Sequence, residues 1–250
     1  MAEQARLTAV VGPYAGAWLD AIPYSSLGTK LDDKAVRITV SFRLGCRVVV
    51  PHTCICSGAV LEDGLHGLDC SKRPEGRHAR HSELNTIIHR ALSSVGRPSL
   101  LEPTGMTRDD GKRLDGITLL PWRRGKPLVW DVTCVSTLSA SNVQLSIREP
   151  GAAASQAEKK KESKYRDLVQ DYIFTPLGFE TMGHWGASTI DFVQQLGQLL
   201  THTTGESRSG LYLRQRMSIA IQRGNAAAVR GTVPPGGGSA ELFILPFEDT

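Results

Sequence analysis

The sequence predicts an α/β protein with a mixed sheet, and three observations carry that expectation. Four short apolar or β-branched runs, in SLLEP, GITLLP, PLVWDVTCVST and YIFTPLGFET, are bounded by Gly and Pro as buried strands are. GAAASQAEKKKESKYRDLVQDY, rich in Ala, Glu, Lys and Leu, lies between the third run and the fourth, so a helix separates those strands. One helical stripe precedes the first run and two helical segments follow the last. The order is helix, three strands, helix, strand, helices.

Taken in order, the elements divide the chain into four segments. Residues 1–45 form an N-terminal helical or extended segment, in which AGAWLDAIP reads as a short helix or turn and YSSLGTKLDD is rich in turn formers. AVRITVSFRLG alternates β-branched and polar residues, yet Phe42, Arg43 and Leu44 fit a helix equally well, and its type stays open. Residues 46–80 are dense in Cys, His, Gly and Pro with no apolar period, so a metal rather than a hydrophobic core has to hold them. Residues 81–232 carry the α/β pattern. HSELNTIIHRALSSVG opens it, with Leu84, Ile87, Ile88, Ala91, Leu92 and Val95 spaced by threes and fours before Gly96 stops the stripe. STIDFVQQLGQLLTH and SGLYLRQRMSIAIQRGNAAAV close it as helices, and the Pro and Gly of TVPPGGGSAELFILPFEDT begin a loosely docked tail over 233–250.

At 250 residues and 40% hydrophobic the chain can bury a substantial core. No window reaches the roughly eighteen uncharged apolar residues of a membrane span, and MAEQARLTAV lacks the basic head of a signal peptide, so a nuclear or cytosolic protein is expected. The net charge of +4 is unevenly spread: Lys72 to Arg97 holds six Lys or Arg against two Glu, and Gly205 to Arg230 five Arg against one Glu. Such patches attract nucleic acid, or form an ordinary solvated surface.

Two constellations carry chemistry. Cys54, Cys56, His66 and Cys70 read as C-x-C-x9-H-x3-C, two close thiolates, a loop and two ligands on a tight turn, which is how a short segment surrounds one tetrahedral Zn(II). His52, His78 or His81 could replace one ligand, and free buried cysteines beside an unrelated His are the plainer reading. A site closed by four protein ligands has no open position, so it is structural. The second constellation is Asp115 and Asp131, each beside a strand-like run and separated by room for one strand, the turn PWRRGK and entry into the next. An antiparallel hairpin of that length brings both carboxylates to one edge, where Mg(II) takes one or two carboxylates and leaves water and phosphate oxygens in its other positions. Lysines 159, 160, 161 and 164 follow on the next helix, within reach of a scissile phosphate. A turn acid and a cap would give the same spacing.

The motifs RHARH, LEPTG, DDGKRLDG, LVWDVTC, KYRDL, FTPLGFETMG and QRMSIAIQRGNA, following the cysteine and histidine cluster, carry a resemblance. Over roughly residues 15 to 232 the chain resembles the C-terminal region of reverse-transcriptase polyproteins from non-long-terminal-repeat retrotransposons, which holds a CCHC zinc knuckle and a restriction-like endonuclease domain of the PD-(D/E)XK superfamily. The resemblance implies a restriction-endonuclease-like mixed sheet flanked by helices, a structural Zn(II), a catalytic Mg(II), and DNA or element RNA as partner. The family's Arg-Pro-Asp motif falls on Arg113, Leu114 and Asp115, and its second metal-binding acid on Asp131. Its basic-His-Asn motif falls on Arg80, His81 and Ser82. Leu114 stands where the family has Pro, and Thr133 where the superfamily has Lys, so Lys161 or Lys164 has to serve instead. Glu102 would complete the metal site, and Glu180 is a fourth acid or a strand-end hydrogen-bonding group. Arg80, His81, Arg113, Arg214, Arg216 and Arg223 would hold nucleic acid. No pair of polymerase aspartates appears, because Asp109 and Asp110 fall in a polar turn, and the chain looks like a separated C-terminal piece of a larger element. The expected activity is metal-dependent hydrolysis of a DNA phosphodiester. The alternatives are a nucleic-acid-binding module without catalysis, and an interaction protein whose last helix is an amphipathic core element with Leu211, Leu213, Met217, Ala220 and Ile221 on its apolar face.

Overall fold

The computed structural model describes residues 1–72, 75–104 and 113–233. Asp109 and Asp110, expected in a polar turn, and residues 234–250, expected as a loosely docked tail, lie outside them. Helix α1 (Ala2–Val10) is followed by turns through AGAWLDAIP, then by α2 (Asp33–Leu44). The ambiguous AVRITVSFRLG is therefore helical, for two local reasons. Asp32 Oδ1 accepts from Ala35 N–H at 2.7 Å, and Ala35, Ile38, Thr39 and Phe42 bury one face at helical spacing. Strands β1 (His52–Thr53) and β2 (Ala59–Val60) make a small hairpin, and the single turn α3 (His66–Asp69) leads towards α4 (Glu75–Ser94). The expected helix at 81–96 thus begins six residues earlier than the sequence stripe, and the expected boundary at 80/81 falls inside it. Polar, Arg- and His-rich turns carry no apolar signal to extend a stripe backwards.

The remaining order is the expected one. Strands β3 (Ser99–Leu101), β4 (Gly116–Thr118) and β5 (Leu128–Val135) precede the one-turn α5 (Val143–Ser146) and α6 (Ala152–Lys164). A 3-10 turn over Arg166–Gln170, β6 (Ile173–Glu180), α7 (Ala187–Thr204) and α8 (Ser209–Arg230) complete the chain. The sheet runs β3-β4-β5-β6, antiparallel across its first two pairs and parallel between β5 and β6, so it is mixed and flanked by helices. Alternation along β5 sends Leu128, Trp130 and Val132 into a core with α4, α7 and α8, whereas Val129 packs with Leu114 and Tyr165 on the other face.

A second core joins α1, α2, the 48–70 segment and the C-terminal half of α8, so the cysteine-rich segment shares apolar packing through Val48, Val60 and Leu68. Helix α8 is the wall common to both cores. Leu213, Met217, Ala220 and Ile221 are buried in the first, but Leu211, expected on that face, is 37% exposed. Helices α4 and α8 approach closely: a Cβ on Gly76 would stand 2.4 Å from Ala228 Cβ, and one on Gly224 2.1 Å from Arg80 Cγ. No helix among the described residues is long and apolar enough to cross a membrane.

Two buried glutamates fasten the crossover. Helix α6 starts behind Gly151, which offers no capping side chain, and Glu180 Oε1 at the end of β6 accepts from Ala153 and Ala154 N–H at 3.1 Å each. Helix α7 starts behind Gly186 in the same way. Glu158 of α6 takes its first donors: Oε1 accepts from Thr189 N–H at 3.0 Å and from Gly178 N–H at 3.1 Å, and Oε2 from Ser188 N–H at 3.0 Å. Glu180 is thus the strand-end hydrogen-bonding group of the two roles open to it in the sequence, not a fourth metal acid. Burial pushes the pKa of both carboxyls up, and the hydrogen bonds they accept hold that shift back.

Candidate functional site

The β4–β5 pairing decides where the acids stand. Leu101 pairs with Gly116 and Gly116 with Trp130, and Asp115 N–H continues the ladder to Trp130 O at 3.1 Å while Glu102 N–H donates to Asp115 O at 2.9 Å. Glu102, Asp115 and Asp131 therefore occupy neighbouring positions across three strands. Gly116 is required there because any Cβ would meet the Trp130 indole at 2.0 Å. Leu114 is buried with Val129 and Tyr165 and anchors the entry to β4. Glu102 reaches the edge in a left-handed conformation, φ 46°, with an exposed side chain. Such a conformation costs a non-glycine residue about 1 kcal/mol.

Each aspartate has its own hydrogen-bonding partner. Asp131, 4% exposed, receives Lys161 Nζ from α6 on both oxygens, at 2.7 and 2.9 Å. Asp115 Oδ2 accepts from Val132 N–H at 2.6 Å and is bonded to His81 Nε2 of α4 at 2.9 Å. The hydrogen bond with Asp115 raises the His81 pKa above the usual imidazole value, and burial works against it. Two desolvated carboxylates in one place are tolerable only with such partners. Of the two lysines weighed for the site, Lys161 reaches it, while Lys164 lies 5.0 Å from the centre of the Tyr165 ring. Thr133 lies further along β5, half-buried, and brings no charge.

Of the residues expected to bind nucleic acid, Arg80 is placed otherwise. It is 1% exposed, its stem fills the gap left by Gly224, and Nη1 donates to Asn225 Oδ1 at 2.9 Å, so it fastens α4 to α8 rather than facing a ligand. A basic residue in a sequence pattern gives no sign of which helix face it occupies. Arg223 Nη2 donates to Gly28 O at 2.7 Å and holds the N-terminal turns, and Arg214 and Arg216 line two clefts formed with residues 10–29. None of these three shares a described contact with the acids. Arg113 is exposed at the entry to β4, two residues from Asp115. His81, expected on nucleic acid, bonds Asp115 instead.

The second constellation comes together as its spacing implies. The ligand atoms of Cys54, Cys56, His66 and Cys70 all lie within 4.8 Å of one another, with Cys54 Sγ 3.8 Å from Cys70 Sγ and Cys56 Sγ 3.2 Å from His66 Nε2. This cluster could hold a metal such as zinc. Ser57 adopts φ 66° at the tip of the β1–β2 turn, and Gly58 leaves room that a Cβ would close at 2.7 Å from His66 Cε1. Gly58 N–H donates to Cys56 Sγ at 3.3 Å and lowers that thiol's pKa, while burial raises that of Cys54. His52 is engaged elsewhere, by Val50 O at 2.8 Å and Thr232 Oγ1 at 3.0 Å, and His78 is exposed on α4.

Sequence reasoning missed Asn85 and Trp130. Trp130 Nε1–H donates to Asn85 Oδ1 at 2.8 Å, and Asn85 Nδ2 lies 3.4 Å from His81 Nδ1. The spacing of His81 and Asn85, four residues apart on one helix, was the available signal. No protein-family model matches the chain, and no curated protein matches it.

Proposed function

We propose that this chain is a divalent-metal-dependent DNA endonuclease of the restriction-like class, derived from a retrotransposon, with Asp115 and Asp131 as its metal-holding acids. One observation carries the reading: two carboxylates on neighbouring positions of β4 and β5 with Lys161 Nζ at 2.7 Å from the second. A helix, an antiparallel three-strand meander, a crossover helix and a parallel fourth strand support the class, with one acid at the entry to the second strand and the other inside the third. The donor set fits Mg(II), which takes one or two carboxylates and keeps its other positions for water and phosphate oxygens. Bound there, Mg(II) supplies polarisation of the attacking water and of the scissile phosphate. Asp115 and Asp131 hold the ion, Lys161 offers N–H donors to a non-bridging phosphate oxygen, and Glu102 stands at the edge where the water enters. Zn(II) on Cys54, Cys56, His66 and Cys70 fixes the small hairpin against α8 and takes no part in the chemistry.

Purified protein incubated with supercoiled plasmid and Mg(II) or Mn(II) tests the reading. Nicking that is lost with EDTA and in Asp131→Asn, while the variant still binds DNA, is the expected result. A second reading, a nucleic-acid-binding module without catalysis, is favoured by Lys161, which already occupies both oxygens of Asp131. A folded, zinc-loaded protein that never nicks but binds DNA with an affinity falling steeply in salt would establish that second reading instead.

A further inference from the structure

Trp130 is 0% exposed, and its indole nitrogen can only donate. Its partner Asn85, 6% exposed, must therefore turn Oδ1 towards Trp130, at 2.8 Å. That choice turns the amide Nδ2, a donor, towards His81 Nδ1 at 3.4 Å, so Nδ1 has to accept and the ring proton resides on Nε2. Nε2–H points at Asp115 Oδ2, 2.9 Å away, where Val132 N–H also arrives. Two donors thus converge on Oδ2, and Oδ1 is the oxygen of Asp115 without a hydrogen bond from the described residues.

We propose that Asn85 and Trp130 hold His81 as the Nε2–H tautomer, making His81 the positioning residue that aims Asp115 Oδ1 at the divalent ion. The aiming role rests on the endonuclease reading above; the tautomer does not. A buried donor-only group at one end sets the orientation of every group down to the carboxylate. His81 and Asn85 lie on α4, whereas Asp115 immediately precedes β4, so the relay also ties the helix to the sheet edge.

Imidazole nitrogen spectra of the full chain, recorded without added Mg(II) and at a pH high enough that the His81 signals no longer move, test this. The His81 signals are assigned by their loss in His81→Gln. A protonated Nε2 and a bare Nδ1 are expected in the unsubstituted protein, where no variant has to fold; a protonated Nδ1 there overturns the proposal. In Asn85→Asp both side-chain oxygens accept, so the ring proton is drawn to Nδ1, and retention of the bare Nδ1 in that variant overturns it as well. Mn(II) affinity, followed by the paramagnetic broadening of the same signals, should fall about tenfold in Asn85→Asp, as loss of a partner behind a ligand does. An unchanged Mn(II) affinity defeats the aiming role. Unsubstituted protein that shows the Nε2–H tautomer but neither binds Mn(II) nor nicks DNA defeats the endonuclease reading alone.

Discussion

The cysteine and histidine cluster and the acidic edge solve the same problem in different ways. Each gathers groups that would repel or be desolvated if left alone. In the cluster, four ligand atoms come from seventeen consecutive residues, 54 to 70, brought together by the β1–β2 hairpin, short turns and packing in the second core. At the edge, Asp115, Asp131, Lys161 and His81 come from the entry to β4, β5, α6 and α4, and only the assembled sheet sets their spacing. A local site stands or falls with its metal, whereas a distributed site stands on the fold and spends little stability of its own.

The largest effect expected from that difference is at the cluster. Withholding the proposed Zn(II), by chelation or Cys70→Ser, should lower stability by on the order of 5 kcal/mol, because Val60 and Leu68 lose their place in the second core. Thermal unfolding beside a metal assay checks this, and an unchanged melting curve in the metal-free protein would dissolve the contrast. Next comes Lys161→Met, which leaves Asp131 desolvated without its cation. Breaking a buried pair costs about 3–5 kcal/mol, but Lys161 is 28% exposed, so about 1–3 kcal/mol is expected by denaturant titration. Adding Asp131→Asn to Lys161→Met should recover most of that loss, which marks the cost as electrostatic.

The two capping glutamates sharpen the comparison at a smaller scale. Glu158 uses both oxygens, so in Glu158→Gln the amide faces Ser188 N–H or the Thr189 donors, at a cost of about 1–2 kcal/mol. Glu180 Oε2 has no hydrogen-bond partner among the described residues, so Glu180→Gln keeps both helix donors satisfied and should change stability by less than about 0.5 kcal/mol at neutral pH. The pH dependence has a definite sign. A carboxyl whose folded pKa is raised contributes stability below its unfolded value of 4.5 and loses it as pH rises through the folded value. Unfolding measured at acid and at neutral pH should therefore favour the unsubstituted protein over the Glu180→Gln variant more in acid, and the reverse trend would mean that the carboxyl is not desolvated as described. The smallest effect falls on the α8 arginines. Arg216→Ala should leave stability within about 0.5 kcal/mol while reducing the salt slope of DNA binding by about one phosphate contact. An unchanged slope would place that face outside the nucleic-acid surface.

What was legible in the sequence divides along the same line. The stripe through Leu84, Ile88 and Leu92, the four strand runs and the four cluster ligands follow from patterns a few residues long, and the fold keeps all of them. The type of α2 was settled by a cap, Asp32, that lies before the ambiguous run. Arg80 and Arg223 could not be told from free surface arginines, because their partners, Asn225 and the turn at Gly28, lie more than a hundred residues away in each case. Lys161 and Lys164 are three residues apart on one helix, and nothing in their spacing says which one meets Asp131. The link from Trp130 to Asn85 to His81 is also invisible, since an indole gives no sign of its partner until a helix packs over it.

The sheet topology also implies an order of assembly. The first three strands form a meander of neighbours in the chain, while β6 joins β5 in parallel only after α6 has crossed over, pairing Leu128 with Ile173. Contacts between residues close in sequence form sooner than contacts across a long loop. The two aspartates are therefore brought together early, as bare neighbours, and Lys161 reaches Asp131 only when the crossover helix docks. The crossover helix that lets β6 pair with β5 is thus the same element that carries Lys161 to Asp131, so the parallel pair and the site share one connection.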